Sequence, residues 1–243
     1  MRANALLLAG GLGTRLLPLT ETTPKCLIDI DQGKPLLEYW VSSLQQAGFM
    51  EATINTHHLP DPVRHFMDRI GAERNFDLHE SYEPELLGSA GTVSANAHLG
   101  EGVEAVLLIY ADNLSDISIK DMMSFHRDHD EPITMALFRA ENPSACGIAT
   151  LDDRRRIVEF VEKPERPTSD LANAGIYVID ASIYREIAAM KRFDLGNDVL
   201  PDFIGRMSGF FHPGYHRDIG TLDSLEQARA DSREGTFRPP TTA

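Results

Sequence analysis

Residues 8–30 read Leu8-Ala9-Gly10-Gly11-Leu12-Gly13-Thr14-Arg15-Leu16-Leu17-Pro18-Leu19-Thr20-Glu21-Thr22-Thr23-Pro24-Lys25-Cys26-Leu27-Ile28-Asp29-Ile30, directly after the apolar run Ala5-Leu6-Leu7-Leu8. The run is short, apolar and bounded by glycines, which predicts a buried strand ending in a loop. Gly10, Gly11 and Gly13 remove side chains where the backbone must approach a ligand or take positive φ. Arg15 and Lys25 add two cations beside that backbone. The amide groups of Leu8, Ala9, Gly10, Gly11, Gly13 and Thr14, with both cations, predict a cradle for a polyphosphate.

Three kinds of glycine-rich loop compete for the stretch. A P-loop needs Gly-x-x-x-x-Gly-Lys-Ser/Thr, and no lysine follows the glycines at that spacing. A dinucleotide-binding turn needs a third glycine where Leu16 stands, which argues against a nicotinamide- or flavin-dependent oxidoreductase. What remains is Gly-Gly-x-Gly-Thr-Arg, then Pro18-Leu19-Thr20, then Pro24-Lys25. With these residues the chain resembles the sugar-1-phosphate nucleotidyltransferases, the nucleotide-diphospho-sugar pyrophosphorylases.

Composition sets outer limits. The 243 residues fit one large domain or one domain with a small lobe, and 42% of them are hydrophobic. No apolar run approaches the roughly 18 residues of a membrane span, and the first residues lack a signal-peptide pattern. Cys26 and Cys146 provide no disulfide framework, so a cytoplasmic location is expected. A net charge of −14 disfavours nucleic acid and anionic membranes as partners. An acidic protein that binds polyphosphate must concentrate its few cations locally and recruit a divalent metal.

Strand-like runs alternate with amphipathic helical patterns through the first half, predicting βαβ units and a parallel sheet. Helices are expected over residues 36–47, from Val63 to a stop at Gly71, and over 89–99; strands are expected over 52–56 and 103–110. Short strands at 133–138, 147–151, 157–161 and 174–179 predict a small antiparallel subdomain. A helix near 196–207, a short strand and a helix over 222–233 follow. The expected fold is a single α/β, Rossmann-like nucleotidyltransferase domain over 1–233, with a mostly parallel central sheet and no C-terminal β-helix. Residues 234–243 are expected to be a disordered tail.

The strand ending at Tyr110 delivers Ala111-Asp112-Asn113 to its C-terminal end, where open α/β sheets bind ligands; Asp112 is placed to hold Mg²⁺ against phosphate oxygens. The family writes Gly-Asp here, and this chain has Ala111-Asp112. Asp116 is a weaker candidate that would cap the next helix. The resemblance implies that Asp218, in Asp218-Ile219-Gly220-Thr221, is the second metal ligand. It also implies that Glu162-Lys163-Pro164 is the family's Glu-Lys-Pro motif, with Gly147 and Asn173 completing the sugar-phosphate contacts. His57-His58 and the two cysteines are read as structural.

What the resemblance implies is nucleotidyl transfer from an NTP to a sugar 1-phosphate by a monomer or small homo-oligomer. Arg15, Lys25, Asp112 and Lys163 would form the catalytic set. The segment Glu83-Pro84-Glu85-Leu86-Leu87-Gly88-Ser89-Ala90-Gly91-Thr92 resembles the part of the family that lies against the nucleobase, with Gly88 under its ring. Its form is similar to that of mannose- and heptose-1-phosphate guanylyltransferases. Glu85 or Glu83 would accept both N–H groups on guanine's Watson–Crick edge. The expectation is therefore GTP with mannose or heptose 1-phosphate. The runner-up is uridylyl or cytidylyl transfer to another sugar 1-phosphate, such as N-acetylmuramate 1-phosphate. A non-catalytic nucleotide-sugar-binding homologue is the option from another class; retention of Arg15, Lys25, Asp112, Lys163 and Asp218 favours an enzyme.

Overall fold

The computed structural model describes residues 1–238. It is α/β with a mostly parallel central sheet. Strand β1 (Ala3–Leu8) enters the glycine loop, and the ribbon β2 (Asp29–Asp31) and β3 (Lys34–Pro35) follows. Then come α1 (Leu36–Gln46), β4 (Glu51–Thr56), α2 (Pro60–Arg74) and β5 (Asp77–Tyr82). The middle holds α3 (Gly88–Ala95), β6 (Ala105–Tyr110), β7 (Asn113–Ser115), α4 (Ile119–Arg127) and β8 (Ile133–Arg139). After them run β9 (Gly147–Leu151), β10 (Ile157–Glu162), β11 (Leu171–Asp180) and α5 (Ala181–Met190). The last elements are β12 (Met207–Phe211), β13 (His216–Asp218) and α6 (Leu222–Arg233). No helix among the described residues is long and apolar enough to cross a membrane.

The chain divides into two compact units. The first comprises Ala5–Leu86, Tyr110–Lys120 and the residues from Gly214 onward. Here β1, β4 and β5 run parallel, with Leu7 opposite Ile54 and Ile54 opposite Glu80. Strand β5 has no counterpart in the sequence expectations. Its residues Asp-Leu-His-Glu-Ser-Tyr are largely exposed, so it carries none of the apolar alternation that betrays a half-buried strand. Helix α2 runs through Gly71 to Arg74 rather than stopping at the glycine, and Asn75 in the left-handed conformation ends it.

Strands β7 and β13 pair antiparallel, setting Asp218 opposite Asn113 and Arg217 opposite Leu114. This ribbon places two carboxylates that are distant in sequence side by side. The Asp116 carboxylate accepts the Tyr215 N–H at 2.7 Å and so fixes the same ribbon. Beneath it, Leu16, Ile28, Leu114, Ile219 and Leu225 are buried in one apolar cluster. Leu16 therefore anchors the glycine loop to the core from the position where a dinucleotide-binding turn would carry glycine.

The second unit comprises Met1–Asn4, Leu87–Ile109 and Asp121–Pro213. Its organising strand is β11, antiparallel to β6, β8 and β9, with Tyr177 facing Leu108 on one side and Met135 on the other. Strands β9 and β10 form a hairpin, and β12 lies parallel to β8. The helix expected near 196–207 is replaced by a single π turn, Leu195–Val199, and a 3₁₀ turn, Leu200–Phe203. Pro201 cannot donate a helical hydrogen bond, and the Asp194 carboxylate caps the π turn by accepting the Asn197 N–H. The regular helix of this region is α5, which follows β11 with no intervening loop and so hides behind that strand's apolar run.

Packing continues past residue 233, where the tail was expected to begin. Phe237 is only 1% exposed, and its ring lies 5.3 Å from those of both Tyr39 and Tyr215. Residues 239–243 of that expected tail fall outside the described residues. Deleting a buried phenylalanine costs its transfer free energy plus a cavity. Phe237→Ala should therefore lower stability by about 3 kcal/mol in denaturant unfolding. A change below about 0.5 kcal/mol, the scale of an ordinary surface substitution, would show that this aromatic contact does not hold the first unit together.

Candidate active site

The first unit concentrates charge around the glycine loop. Gly13 has φ +64°, and a side chain there would meet Thr20 Cγ2 at 2.7 Å. Thr20 in turn donates its hydroxyl to Gly13 O at 2.8 Å, so the threonine of Pro-x-Thr packs against and pins the left-handed residue. A side chain on Gly11 would meet nothing within 4 Å, so the loop stands open there.

Lys25 is 7% exposed, and its ammonium contacts two carboxylates: Asp112 Oδ2 at 2.8 Å and Asp218 Oδ1 at 3.2 Å. Arg15 Nη2 lies 3.8 Å from Asp218 Oδ2 while its side chain remains 67% exposed. Gly220 makes room for this pair, because a Cβ there would lie 2.6 Å from Arg15 Nη2 and 2.9 Å from Asp218 Oδ1. Two cations and two carboxylates thus converge beside the open loop. Cys26, next in sequence to Lys25, is fully buried, and burial pushes its thiol up to about 12, which leaves it inert as a nucleophile.

Not every expected contact is available. The amide groups of Ala9 and Gly10 both donate to Asn55 Oδ1, at 2.6 and 3.1 Å, and the Leu8 carbonyl accepts the Ala111 N–H. The Ala9 and Gly10 amides thus bond to the protein itself in this structure. Glu83 is buried and accepts the Asn55 amide at 2.9 Å, whereas Glu85 is exposed. His57 and His58 bond to the carbonyls of Glu83 and Thr20, at 2.8 and 3.0 Å, in keeping with a structural part.

The second unit assembles a different set. Register pairs Glu162 with Gly147 across the β9–β10 hairpin. A Cβ on Gly147 would lie 2.5 Å from Glu162 Oε2, and one on Gly196 would lie 3.1 Å from it, so two glycines clear space around one carboxylate. Lys163 has φ +48°, donates its backbone N–H to Cys146 O at 3.0 Å and holds its Nζ 3.9 Å from Glu162 Oε1. Asn173 Nδ2 donates to the buried Tyr177 hydroxyl at 2.5 Å, and its Oδ1 accepts the Gly175 N–H at 2.9 Å. Gly88 has φ +75° and lies against Phe193, whose ring a side chain there would meet at 2.9 Å.

Sequence reasoning missed Asn55, Asp194 and Tyr177 as members of these clusters. Asn55 left one signal, an amide side chain directly after the Ala52-Thr53-Ile54 stretch of a predicted strand. Asp194 and Tyr177 left none, because turn aspartates and core tyrosines are common.

Burial pushes the Glu162 carboxyl up, and Asp194 adds to the rise while Lys163 opposes it. A raised carboxyl pKa means that folding favours the protonated form. The penalty is complete above the folded pKa and vanishes below the unfolded value of about 4.3. Glu162→Gln should therefore raise the thermal unfolding midpoint at about pH 7.5, with the gain fading toward about pH 4. A gain independent of pH, or a loss at neutral pH, would show that the carboxylate is not under strain.

A family profile described as nucleotidyl transferase matches residues 4–235 of the chain. The mannose-1-phosphate guanylyltransferase catalytic subunit beta of Drosophila pseudoobscura pseudoobscura is 32% identical over 203 residues, 82% of this chain and 53% of that protein. The mannose-1-phosphate guanylyltransferase of Mycobacterium tuberculosis is 28% identical over 244 residues, 98% of this chain and 67% of that protein. The chain spans about three fifths of the length of the curated relatives it matches. Among solved structures, a Bacillus anthracis protein described as a glucose-1-phosphate thymidylyltransferase, in complex with sucrose, superposes with a TM-score of 0.83. It has 25% identity, and the match covers 97% of both chains.

Proposed function

The chain belongs to the nucleotidyl transferase family, and from that membership we propose that it joins an NTP to a sugar 1-phosphate, releasing pyrophosphate and an NDP-sugar. The donor is GTP and the acceptor is mannose 1-phosphate or a heptose 1-phosphate. The observation that carries this reading is the meeting of Lys25, Arg15, Asp112 and Asp218 beside an open glycine loop. The naming of matched relatives for mannose-1-phosphate guanylyltransferase supports the choice of base and sugar.

A phosphate monoester has a second pKa near 6 and is largely dianionic at neutral pH, so the acceptor oxygen needs no general base. In the reaction that oxygen bonds to the α-phosphorus while the bond to the β-phosphate oxygen breaks, and pyrophosphate leaves with its electron pair. Catalysis then rests on in-line positioning and charge neutralisation. Arg15 and Lys25 offset the charge of the triphosphate. Lys163 orients the acceptor phosphate, while Glu162 and Asn173 accept and donate hydrogen bonds to sugar hydroxyls. Glu85, exposed and uncommitted to Asn55, is the carboxylate for the guanine edge.

A divalent cation fits the first unit's chemistry, because two carboxylates already share one cationic group, the Lys25 ammonium. Mg²⁺ commonly takes one or two carboxylates with phosphates and waters, so Asp112 and Asp218 would hold it. Bound there, the ion would supply charge stabilisation to the phosphates.

Pyrophosphate release measured with each NTP against a panel of sugar 1-phosphates tests the assignment. The specificity constant should be highest for GTP with a manno-configured acceptor. A higher value for UTP or CTP would move the protein to the uridylyl- or cytidylyltransferases, and binding without turnover would mark a regulatory homologue. Asp112→Asn should lower the rate on the order of 10²-fold or more, and a chelator should abolish it. Near-normal turnover in either case would remove the carboxylates from the chemistry.

A further inference from the structure

Asn55 stands at the end of β4, 4% exposed and in contact with the glycine loop. Its carbonyl oxygen collects two consecutive loop amides, Ala9 at 2.6 Å and Gly10 at 3.1 Å. Its amide nitrogen donates to Glu83 Oε1 at 2.9 Å. A primary amide can turn either end toward a partner, but here each end is dictated. The loop presents two N–H donors, so it needs the oxygen, and that leaves the nitrogen to donate to the Glu83 oxygen. Glu83 is itself 1% exposed and tied through its backbone, donating its N–H to Thr56 O at 2.8 Å. Gly10 completes the fit, since a Cβ there would lie 2.7 Å from Asn55 Nδ2.

We propose that Asn55 is a positioning residue that holds the glycine loop in its donor-binding shape before the nucleotide arrives, with Glu83 setting the orientation of its amide. The proposal rests on the nucleotidyltransferase reading for its kinetic readout only. Glycine-rich backbone is expensive to order, and a loop already fixed at Ala9 and Gly10 leaves less to be ordered by the triphosphate. Asn55 touches no reacting atom in this scheme. Its effect belongs to the donor and leaves the acceptor alone.

Reversing the polarity of the pair tests the idea. Asn55→Asp keeps an acceptor for the two amides but sets a carboxylate against the Glu83 carboxylate. It should raise the KM for the NTP at least tenfold while the KM for the sugar 1-phosphate stays within twofold. Adding Glu83→Gln gives the new carboxylate an amide donor again, and the double variant should recover most of the lost donor affinity. Asn55→Ala, which adds no charge, should raise the donor KM without that rescue and keeps the test open if the aspartate variant does not fold. Amide hydrogen exchange at Ala9 and Gly10 in the substrate-free protein gives a readout independent of turnover, with protection in the wild type that Asn55→Ala abolishes.

Unchanged exchange in Asn55→Ala overturns the proposal whatever the enzyme's substrate is. So does a donor KM unaltered in the single variants, an equal rise in both KM values, or a double variant no better than Asn55→Asp. Absence of turnover by the wild type with every NTP and sugar 1-phosphate strikes the functional reading instead, and the exchange measurement then decides the clamp by itself.

Discussion

One ammonium group ties together segments from three parts of the chain. Lys25 comes from the stretch after the glycine loop, Asp112 from the end of β6 and Asp218 from the end of β13. A buried lysine without acceptors would be costly, and two neighbouring carboxylates without a cation would repel. Each group therefore makes the others tolerable where they stand. The β7–β13 ribbon, the Asp116 link to Tyr215 and the apolar cluster around Ile219 all serve to deliver Asp218 to this point. Charge is thereby gathered in one place on a chain whose overall balance is −14.

The second unit follows a different logic. Its Glu162 lies between two glycines with Lys163 as its neighbouring cation, and burial disfavours the charge that the carboxylate carries. Such a group is better satisfied by incoming hydroxyl donors than by the protein around it. Lys163 sits next to it in left-handed backbone, a conformation that non-glycine residues visit rarely and that the hydrogen bond to Cys146 holds in place. On the function proposed above, a carboxylate beside a cation on an exposed stem suits a polyhydroxyl compound bearing a phosphate.

What could be understood from sequence was whatever depended on local chemistry. The glycine loop, Lys25, Asp112 and the hairpin carrying Glu162 lie on motifs whose residue types announce their surroundings, and apolar runs marked β1, β4, β6 and β8. Strand β5 escaped because an exposed edge needs no apolar pattern, and α5 escaped because β11 passes into it without punctuation. The partners of Asn55 were invisible for another reason. Hydrogen bonds from β4 to the glycine loop and to Glu83 depend on which strands lie side by side, and no spacing along the chain encodes that. Phe237 is a similar case: short polar neighbours suggested a loose end, while two distant aromatic rings supply its binding pocket.

Gly220 carries a meaning beyond the turn it occupies. The space a methyl group would need there already belongs to the Arg15 guanidinium and the Asp218 carboxylate. A side chain at 220 and an arginine docked at 15 are mutually exclusive occupants of one volume. The two positions lie some two hundred residues apart in sequence, yet they form a single steric unit. In a related chain, a larger residue at the equivalent of 220 would report a displaced arginine without any structure being solved, so one letter near the end of such a sequence sorts chains able to seat this cation from those that have given it up.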